Sequence, residues 1–336
     1  MSKKIVISIV EIVVITVASF VWWQWRPQQS PKYTGPTEKV TIGSYTGEYV
    51  ALVYVADEKG YFKDEGIDLE IRPYEYGILT IPDVVNGVID IGLANEFAPV
   101  VRSFDSPKLR ILASIDQTNS YELIARRDHG INRPADLKGK KIGIPKNSQS
   151  EFFLGTFLTF SHLFLKDVEV VYVKPSNLEN AMVSGTIDAT LIWPPLSFNI
   201  TKKLGTNAVV WPAQSGQDAY FVLIGSEDLV KKKSQVIERM LRALVKAEEF
   251  VKNNTLEAKT IVMRRTKTNE EYIKSVWPSN IFKVSLEQAM VLTMEGAARW
   301  AIKNKLTDKT TVPNYLNFVY LDALEKVKPE AITIVH

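Results

Sequence analysis

The sequence predicts an α/β protein of two doubly wound lobes around a cleft, preceded by one N-terminal transmembrane helix. Three observations carry this. Two stretches about one hundred residues apart repeat one another: Val40-Thr-Ile-Gly43, Gly66-Ile-Asp68 and Val85-Asn-Gly87-Val-Ile-Asp90 are echoed by Lys141-Ile-Gly143, Lys166-Asp167 and Val183-Ser-Gly185-Thr-Ile-Asp188. The landmark pairs Gly43/Gly143, Asp68/Asp167 and Gly87/Gly185 are offset by 100, 99 and 98 residues. Between the landmarks, short β-rich runs alternate with longer helical patterns, as parallel α/β sheets require. The third observation is an apolar run at the N-terminus.

That run extends from Ile5 to Trp25, 21 residues or roughly 31 Å as a helix, enough for a bilayer core of about 30 Å. Trp22, Trp23 and Trp25 stand where an interfacial aromatic belt belongs, and Lys3-Lys4 places the N-terminus in the cytoplasm. Glu11 is out of place in hydrocarbon, and Ala18-Ser19-Phe20 fits a cleavage site badly. An uncleaved anchor is therefore expected, with a secreted or periplasmic product of signal cleavage as the alternative. Arg26 to Lys39 holds three prolines and little apolar content, and reads as a tether.

Strands are expected at Val40–Ser44, Asp68–Arg72, Asp90–Ala94 and Leu109–Ser114, with counterparts at Lys141–Ile144, Val168–Val173 and Ala189–Trp193. Val50–Ala56 is β-rich, but a doubly wound unit needs a crossover helix there. It is read as a helix ended by Gly60 at C′. Gly139 makes the tight turn that opens the second lobe. After Ile224 the chain turns mostly helical. Ser226 caps a segment with apolar residues at 229, 230, 236, 237, 240, 241, 244, 245 and 251, and helical patterns recur at Ser285–Lys303 and Tyr315–Lys328.

A chain of 336 residues has room for two ordinary domains. With 41 basic and 38 acidic residues the net charge is +3, and no Lys/Arg run suggests a nucleic-acid partner. The absence of cysteine excludes disulfides, thiolate metal sites, cysteine nucleophiles and lipoprotein acylation. His129, His162 and His336 have no partner at metal-ligand spacing. There is no nucleophile elbow, dinucleotide fingerprint or phosphate loop, so no catalytic residue, metal or cofactor is expected.

The strand ends carry the candidate chemistry, because open α/β sheets bind ligands beyond the carboxyl ends of their strands. The first loops of the two lobes supply Ser44, Tyr45, Glu48 and Tyr49, and Ser148, Ser150 and Glu151. Helix N-termini there suit carboxylate, sulfonate, nitrate or phosphate groups, with plain N-capping by the serines as the competing role. The next strands end in Asn95-Glu96 and in Trp193, which is followed by two prolines and either closes over a ligand or packs in the core. Thr118, Asn119 and Asp218 lie near the inferred crossings between lobes. The acids Glu48, Glu96 and Glu151 set the sign of the site: facing the pocket they would favour a zwitterion or amine over a plain anion.

The run Leu52-Val-Tyr-Val-Ala56-Asp-Glu-Lys-Gly60-Tyr-Phe62-Lys-Asp-Glu-Gly66-Ile-Asp-Leu-Glu70 resembles the signature of the nitrate/sulfonate/taurine class of ABC-transporter substrate-binding proteins. That class includes the NMT1/THI5-like binders of thiamine-pyrimidine precursors. Asn86–Ala94, Leu109–Ser114, Asp136–Gly143 and Ala181–Ala189 fit it in order, so the resemblance spans about Val40 to Ile224. It implies a type II periplasmic-binding-protein fold that traps a small ligand on closure and then engages a membrane permease with its ATPase. The implied organisation is an anchor or signal at 1–25, a linker at 26–39, lobe one from 40–122 with 219–336, and lobe two from 123–218. By analogy the ligand contacts come from the loops already named. The expected ligand is a small anionic or zwitterionic organic molecule, with a pyrimidine thiamine precursor as the alternative. A same-fold enzyme is disfavoured, since the fungal thiamine-pyrimidine synthase uses a cysteine-rich iron motif that this chain lacks. An extracellular sensor is disfavoured for want of an output segment.

Overall fold

Two sheets of matching strand order organise the computed structural model, which describes residues 32–106 and 108–335. The expected anchor at 1–25, the linker up to residue 31 and His336 lie outside the described residues. Among those described, no helix is long and apolar enough to cross a membrane. From Gly35 onward the described chain belongs to one unit.

The first sheet contains β1 (Glu38–Ser44), β2 (Ile67–Pro73), β3 (Ile91–Asn95), β4 (Leu109–Thr118), β10 (Ala219–Ser226) and β11 (Asn280–Ile281). The second contains β5 (Glu122–Arg126), β6 (Lys141–Ile144), β7 (Glu169–Tyr172), β8 (Ala189–Ile192) and β9 (Ala208–Pro212). Their orders are β2-β1-β3-β10-β4-β11 and β7-β6-β8-β5-β9. In each, three parallel strands are followed by one antiparallel strand that arrives from the other sheet. The chain crosses between sheets twice, between β4 and β5 and between β9 and β10. Gln214, fully buried, staples the crossings together: its Nε2 donates to the Thr118 carbonyl at 2.9 Å and its Oε1 accepts from the Tyr121 amide at 2.9 Å.

The sequence echo has a steric cause. Gly43 and Gly143 sit at the same place on β1 and β6, one residue before the end of each strand. A Cβ at either would lie 2.6 Å from Ile89 Cδ1 or 2.4 Å from Ile187 Cδ1. Those isoleucines come from the two Gly-x-Ile-Asp turns, whose Gly87 and Gly185 take left-handed φ of 69° and 76°. Each turn thus drops an isoleucine into the notch left by a strand glycine.

The segment read as a crossover helix is one: Ala51–Glu58 follows a short 3-10 turn and ends at Gly60 with φ 74°. Ala51 to Ala56 are all buried, and the helix packs against the long helix Glu227–Asn253. Burial on every side explains a β-branched composition that helix propensity alone would disfavour. Ser226 Oγ caps that long helix by accepting from Leu229 N at 3.1 Å, and a non-helical Lys233 (φ −133°) kinks it. Ion pairs bind the tail to the first sheet's helices: Arg242 and Lys246 to Glu65 at 2.9 and 2.8 Å, and Arg265 to Asp57 at 2.6 Å.

Two tail expectations are corrected. The helix expected from Ser285 begins at Gln288, because Ser285 exchanges backbone bonds with Ser114 of β4 at 2.8 and 3.0 Å. The expected helix Tyr315–Lys328 is broken into a 3-10 turn, Tyr315–Phe318, and a helix, Asp322–Val327. Val319 and Tyr320 between them pair with Ile111 of β4.

Candidate functional site

The segments after the carboxyl ends of β1, β2, β3, β6 and β8, the first crossing and Phe221 of β10 converge on one cavity. Its empty space, the open mouth included, is about 420 Å³. Six of its lining residues are aromatic: Tyr45, Tyr49, Tyr76, Tyr121, Trp193 and Phe221. Asn95, Asn147, Ser148 and the backbone at Gly77 supply the polar atoms, and Ile78, Leu93 and Ala98 complete the wall. No lining residue carries a charge.

The rings brace one another. Tyr49 stacks on Phe221 with centroids 3.9 Å apart and lies nearly parallel to Tyr45 at 6.0 Å. Trp193 meets Tyr45 edge-on at 6.2 Å and tilts onto Tyr121 at 5.9 Å. The Tyr121 hydroxyl accepts from Asn95 Nδ2 at 3.2 Å, while Asn95 Oδ1 accepts from the Ala98 amide. Burial pushes the Tyr45 and Tyr121 phenols well above their ordinary range, so both keep their protons and stay available as donors.

Five expected residues line the cavity: Tyr45, Tyr49, Asn95, Ser148 and Trp193. Eight lie outside its lining. Ser44 is buried, its Oγ donating to the Tyr45 carbonyl at 2.8 Å. Thr118 Oγ1 and the Asn119 amide both bond the Ser279 carbonyl and serve the crossing. Asp218 accepts from Gln117 Nε2 at 2.9 Å. Ser150 Oγ is buried without a hydrogen-bond partner among the described residues. Neither serine caps the helix Gln149–Phe160, since Ser148 Oγ donates instead to the Pro145 carbonyl at 2.7 Å.

The three acids face away from the cavity, each held by protein donors. Glu48 accepts from the Tyr272 hydroxyl and is fully buried; burial raises its pKa despite that bond. Glu151 accepts from the Asn147 amide at 2.9 Å and the Tyr172 hydroxyl at 2.5 Å, and burial again raises it. Glu96 accepts from Gln149 Nε2 at 2.9 Å and the Tyr220 amide at 2.8 Å, and burial lifts it to about 7.

Sequence reasoning missed Tyr76, Tyr121, Phe221 and Asn147 as lining residues. Tyr121, Phe221 and Asn147 sit within three residues of a named candidate, whereas Tyr76 follows β2, whose end supplied no candidate; Asn147 carries its own signal once the backbone is known, a left-handed φ of 55°. Among the described residues no group of three or more acids and histidines is placed to hold a metal ion.

Comparisons with known proteins bear on the family and the fold. The chain is 27% identical over 262 residues to a Brucella abortus (strain 2308) protein named "Putative binding protein", covering 76% of this chain and 79% of that one. It is 26% identical over 234 residues to the formylaminopyrimidine-binding protein of Halalkalibacterium halodurans, covering 68% and 70%. Its fold matches the alkanesulfonate-binding protein of Xanthomonas axonopodis pv. citri with a TM-score of 0.74 at 16% identity, over 85% of this chain and 99% of that one. The model of one family, described as NMT1/THI5 like, matches residues 48–258, more than half of the chain, and the protein belongs to that family of solute-binding proteins.

Proposed function

We propose that this protein is the extracytoplasmic receptor of an ABC importer and that it captures a planar, uncharged heteroaromatic molecule of pyrimidine type. The single observation behind the ligand class is the lining of the cavity: six aromatic rings, two asparagines and a serine, with no charged side chain. Flat rings recognise flat rings by offset stacking, and amides read the donor and acceptor edge of a heterocycle. A relative named for formylaminopyrimidine binding supports the same class. In this reading residues 40–122 with 219–336 and residues 123–218 are the two bodies that close on the ligand. Residues 5–25 tether them to the membrane through the linker at 26–39, and a permease with its ATPase receives the cargo.

A sulfonate-like or zwitterionic ligand is the second reading. Ser148 lines the cavity at the start of the helix Gln149–Phe160, whose terminal amides carry partial positive charge. A thermal-shift screen of residues 38–336 separates the two. A tight ligand at one hundred times its Kd stabilises by about 2.7 kcal/mol. Aminopyrimidines should raise Tm by several degrees while taurine, alkanesulfonates and nitrate do not. The reverse ranking would install the anion reading.

A further inference from the structure

Glu96 is a buried acid closed in from both halves of the molecule. It follows β3 of the first sheet, where its amide donates to the Tyr220 carbonyl at 2.9 Å and its Oε2 accepts from the Tyr220 amide. Its other oxygen is covered from the second half, by Gln149 at the start of the helix Gln149–Phe160. Both side chains are fully buried, and Gln149 Oε1 has no partner among the described residues, so a single bond joins this pair across the seam. The flanking residues belong to the ligand cavity: Asn95 precedes Glu96, and Asn147-Ser148 precede Gln149. Beside them Phe97 stacks on Phe152 across the same seam, with centroids 6.0 Å apart.

The groups facing this carboxyl do not neutralise it. From the second crossing comes the Asp218 carboxylate, from β10 the Tyr220 phenol, from β5 side the Tyr121 phenol, and from the helix a neutral amide. The nearest charge therefore repels ionisation, and the lid that removes water belongs to the other half.

We propose that closure of the two halves is proton-coupled, with Glu96 taking up one proton as Gln149 seals it from water. The inference rests on the reading that the halves open and close, and adds to it a linkage to pH. With the seam open, water reaches Glu96 and it titrates as an ordinary carboxyl, near pH 4.3. With the seam shut, burial holds its pKa near 7. The closed form binds the proton more tightly, so closure is favoured below the open-form value and loses that advantage as pH rises toward 7. Between those limits the closed-to-open ratio changes by up to about tenfold per pH unit for one proton. Ligand would accordingly be held more tightly in a mildly acidic medium and released more readily near neutrality.

Because the chain has no cysteine, spin labels can be placed cleanly at exposed Asn86 and Asn177, one on each half, in the full chain. Pulsed electron–electron resonance on the ligand-free protein should show the closed-form distance population growing as pH falls from 8 to 5. Glu96→Gln, a permanent stand-in for the protonated acid, should hold that population at pH 8 and ignore pH. Gln149→Ala, which lets water reach Glu96 in the closed form, should flatten the response even if Glu96→Gln folds poorly. Wild-type distances that ignore pH overturn the inference, as does a full response retained in either folded variant. An aminopyrimidine and, separately, an alkanesulfonate added at pH 8 provide the separate check: closure on either ligand without any response to pH overturns proton coupling alone, and closure on neither ligand nor proton overturns the hinged-receptor reading as well.

Discussion

Asp188 and Lys141 clasp one another twice. The Asp188 amide donates to the Lys141 carbonyl at 2.8 Å, and the Lys141 amide donates to Asp188 Oδ2 at 2.7 Å. Asp90 and Thr41 form the same reciprocal pair in the other sheet, at 3.1 and 2.9 Å. Each aspartate spends its second oxygen on a basic side chain, His129 Nδ1 at 2.6 Å for Asp188 and Lys233 Nζ at 3.0 Å for Asp90. The aspartate of each Gly-x-Ile-Asp turn thus anchors the turn to β1 or β6.

Replacing Asp188 by Ala should therefore destabilise the protein by roughly 1.5–3 kcal/mol, the range for hydrogen bonds to a charged group. Burial alone would raise the Asp188 pKa, but the bonds from the Lys141 amide and His129 outweigh it and hold the carboxyl below its ordinary range. The contribution is present above an unfolded value of about 3.9 and is lost as pH falls through the lower folded value. Urea unfolding of wild type and variant should differ at pH 7 and converge in strong acid. A constant difference would show that the clasp does not depend on charge.

Gly155 marks the contact between the helix Gln149–Phe160 and the tail. A Cβ there would lie 2.6 Å from Trp300 Nε1 and 2.9 Å from Trp300 Cε2, and that indole is also packed edge-on against Phe97 and Phe152. Gly155→Ala should cost about 1–3 kcal/mol through overpacking, despite the better helix propensity of alanine. A gain in Tm would show that the seam relaxes freely.

Much of the fold was legible because its signals are local and repeated. Gly43, Gly87 and Asp90 answer backbone and notch requirements that recur at Gly143, Gly185 and Asp188, so the pattern survives in the sequence. β5, β9 and β11 carry no such marker: they are short, pair antiparallel at or near sheet edges, and gain their place from long-range partners. The site was legible at strand ends, where Tyr45, Asn95 and Trp193 follow from topology. It was illegible where orientation decides. Glu48, Glu96 and Glu151 occupy loops that border the cavity, yet each turns inward to a protein donor, and only tertiary contacts reveal that Tyr121 and Phe221 face the ligand space instead.

Asp116 supplies a third test. It is fully buried in β4, and neither carboxylate oxygen makes a hydrogen bond of ordinary geometry among the described residues. Burial first, and the nearby charge of Glu48 second, hold its pKa well above the usual value. The folded state keeps a proton that the unfolded state releases, so stability falls as pH rises above about 3.9. Asp116→Asn is neutral throughout and should escape this loss. Its Tm advantage over wild type should grow steadily from pH 5 to pH 8, and a gap independent of pH would assign Asp116 an ionised, satisfied state.

Trp193 decides between a wall and a core residue. It is 6% exposed, lies against Tyr45 and Tyr121, and also faces the cavity, so packing and recognition both lay claim to it. If a heteroaromatic ring stacks there, truncation to Ala removes a contact of about 1–3 kcal/mol, the range for base–aromatic stacking. That corresponds to binding weakened by roughly 5- to 150-fold at 1.4 kcal/mol per decade. Trp193→Phe keeps a smaller flat face and should recover part of the loss, whereas a purely steric role would let Leu do as well. Calorimetric titration of an aminopyrimidine into the three variants, each first shown to unfold cooperatively, should rank Phe above Leu and Ala. Equal affinities would return Trp193 to the core and leave Tyr45 and Tyr49 as the remaining stacking faces.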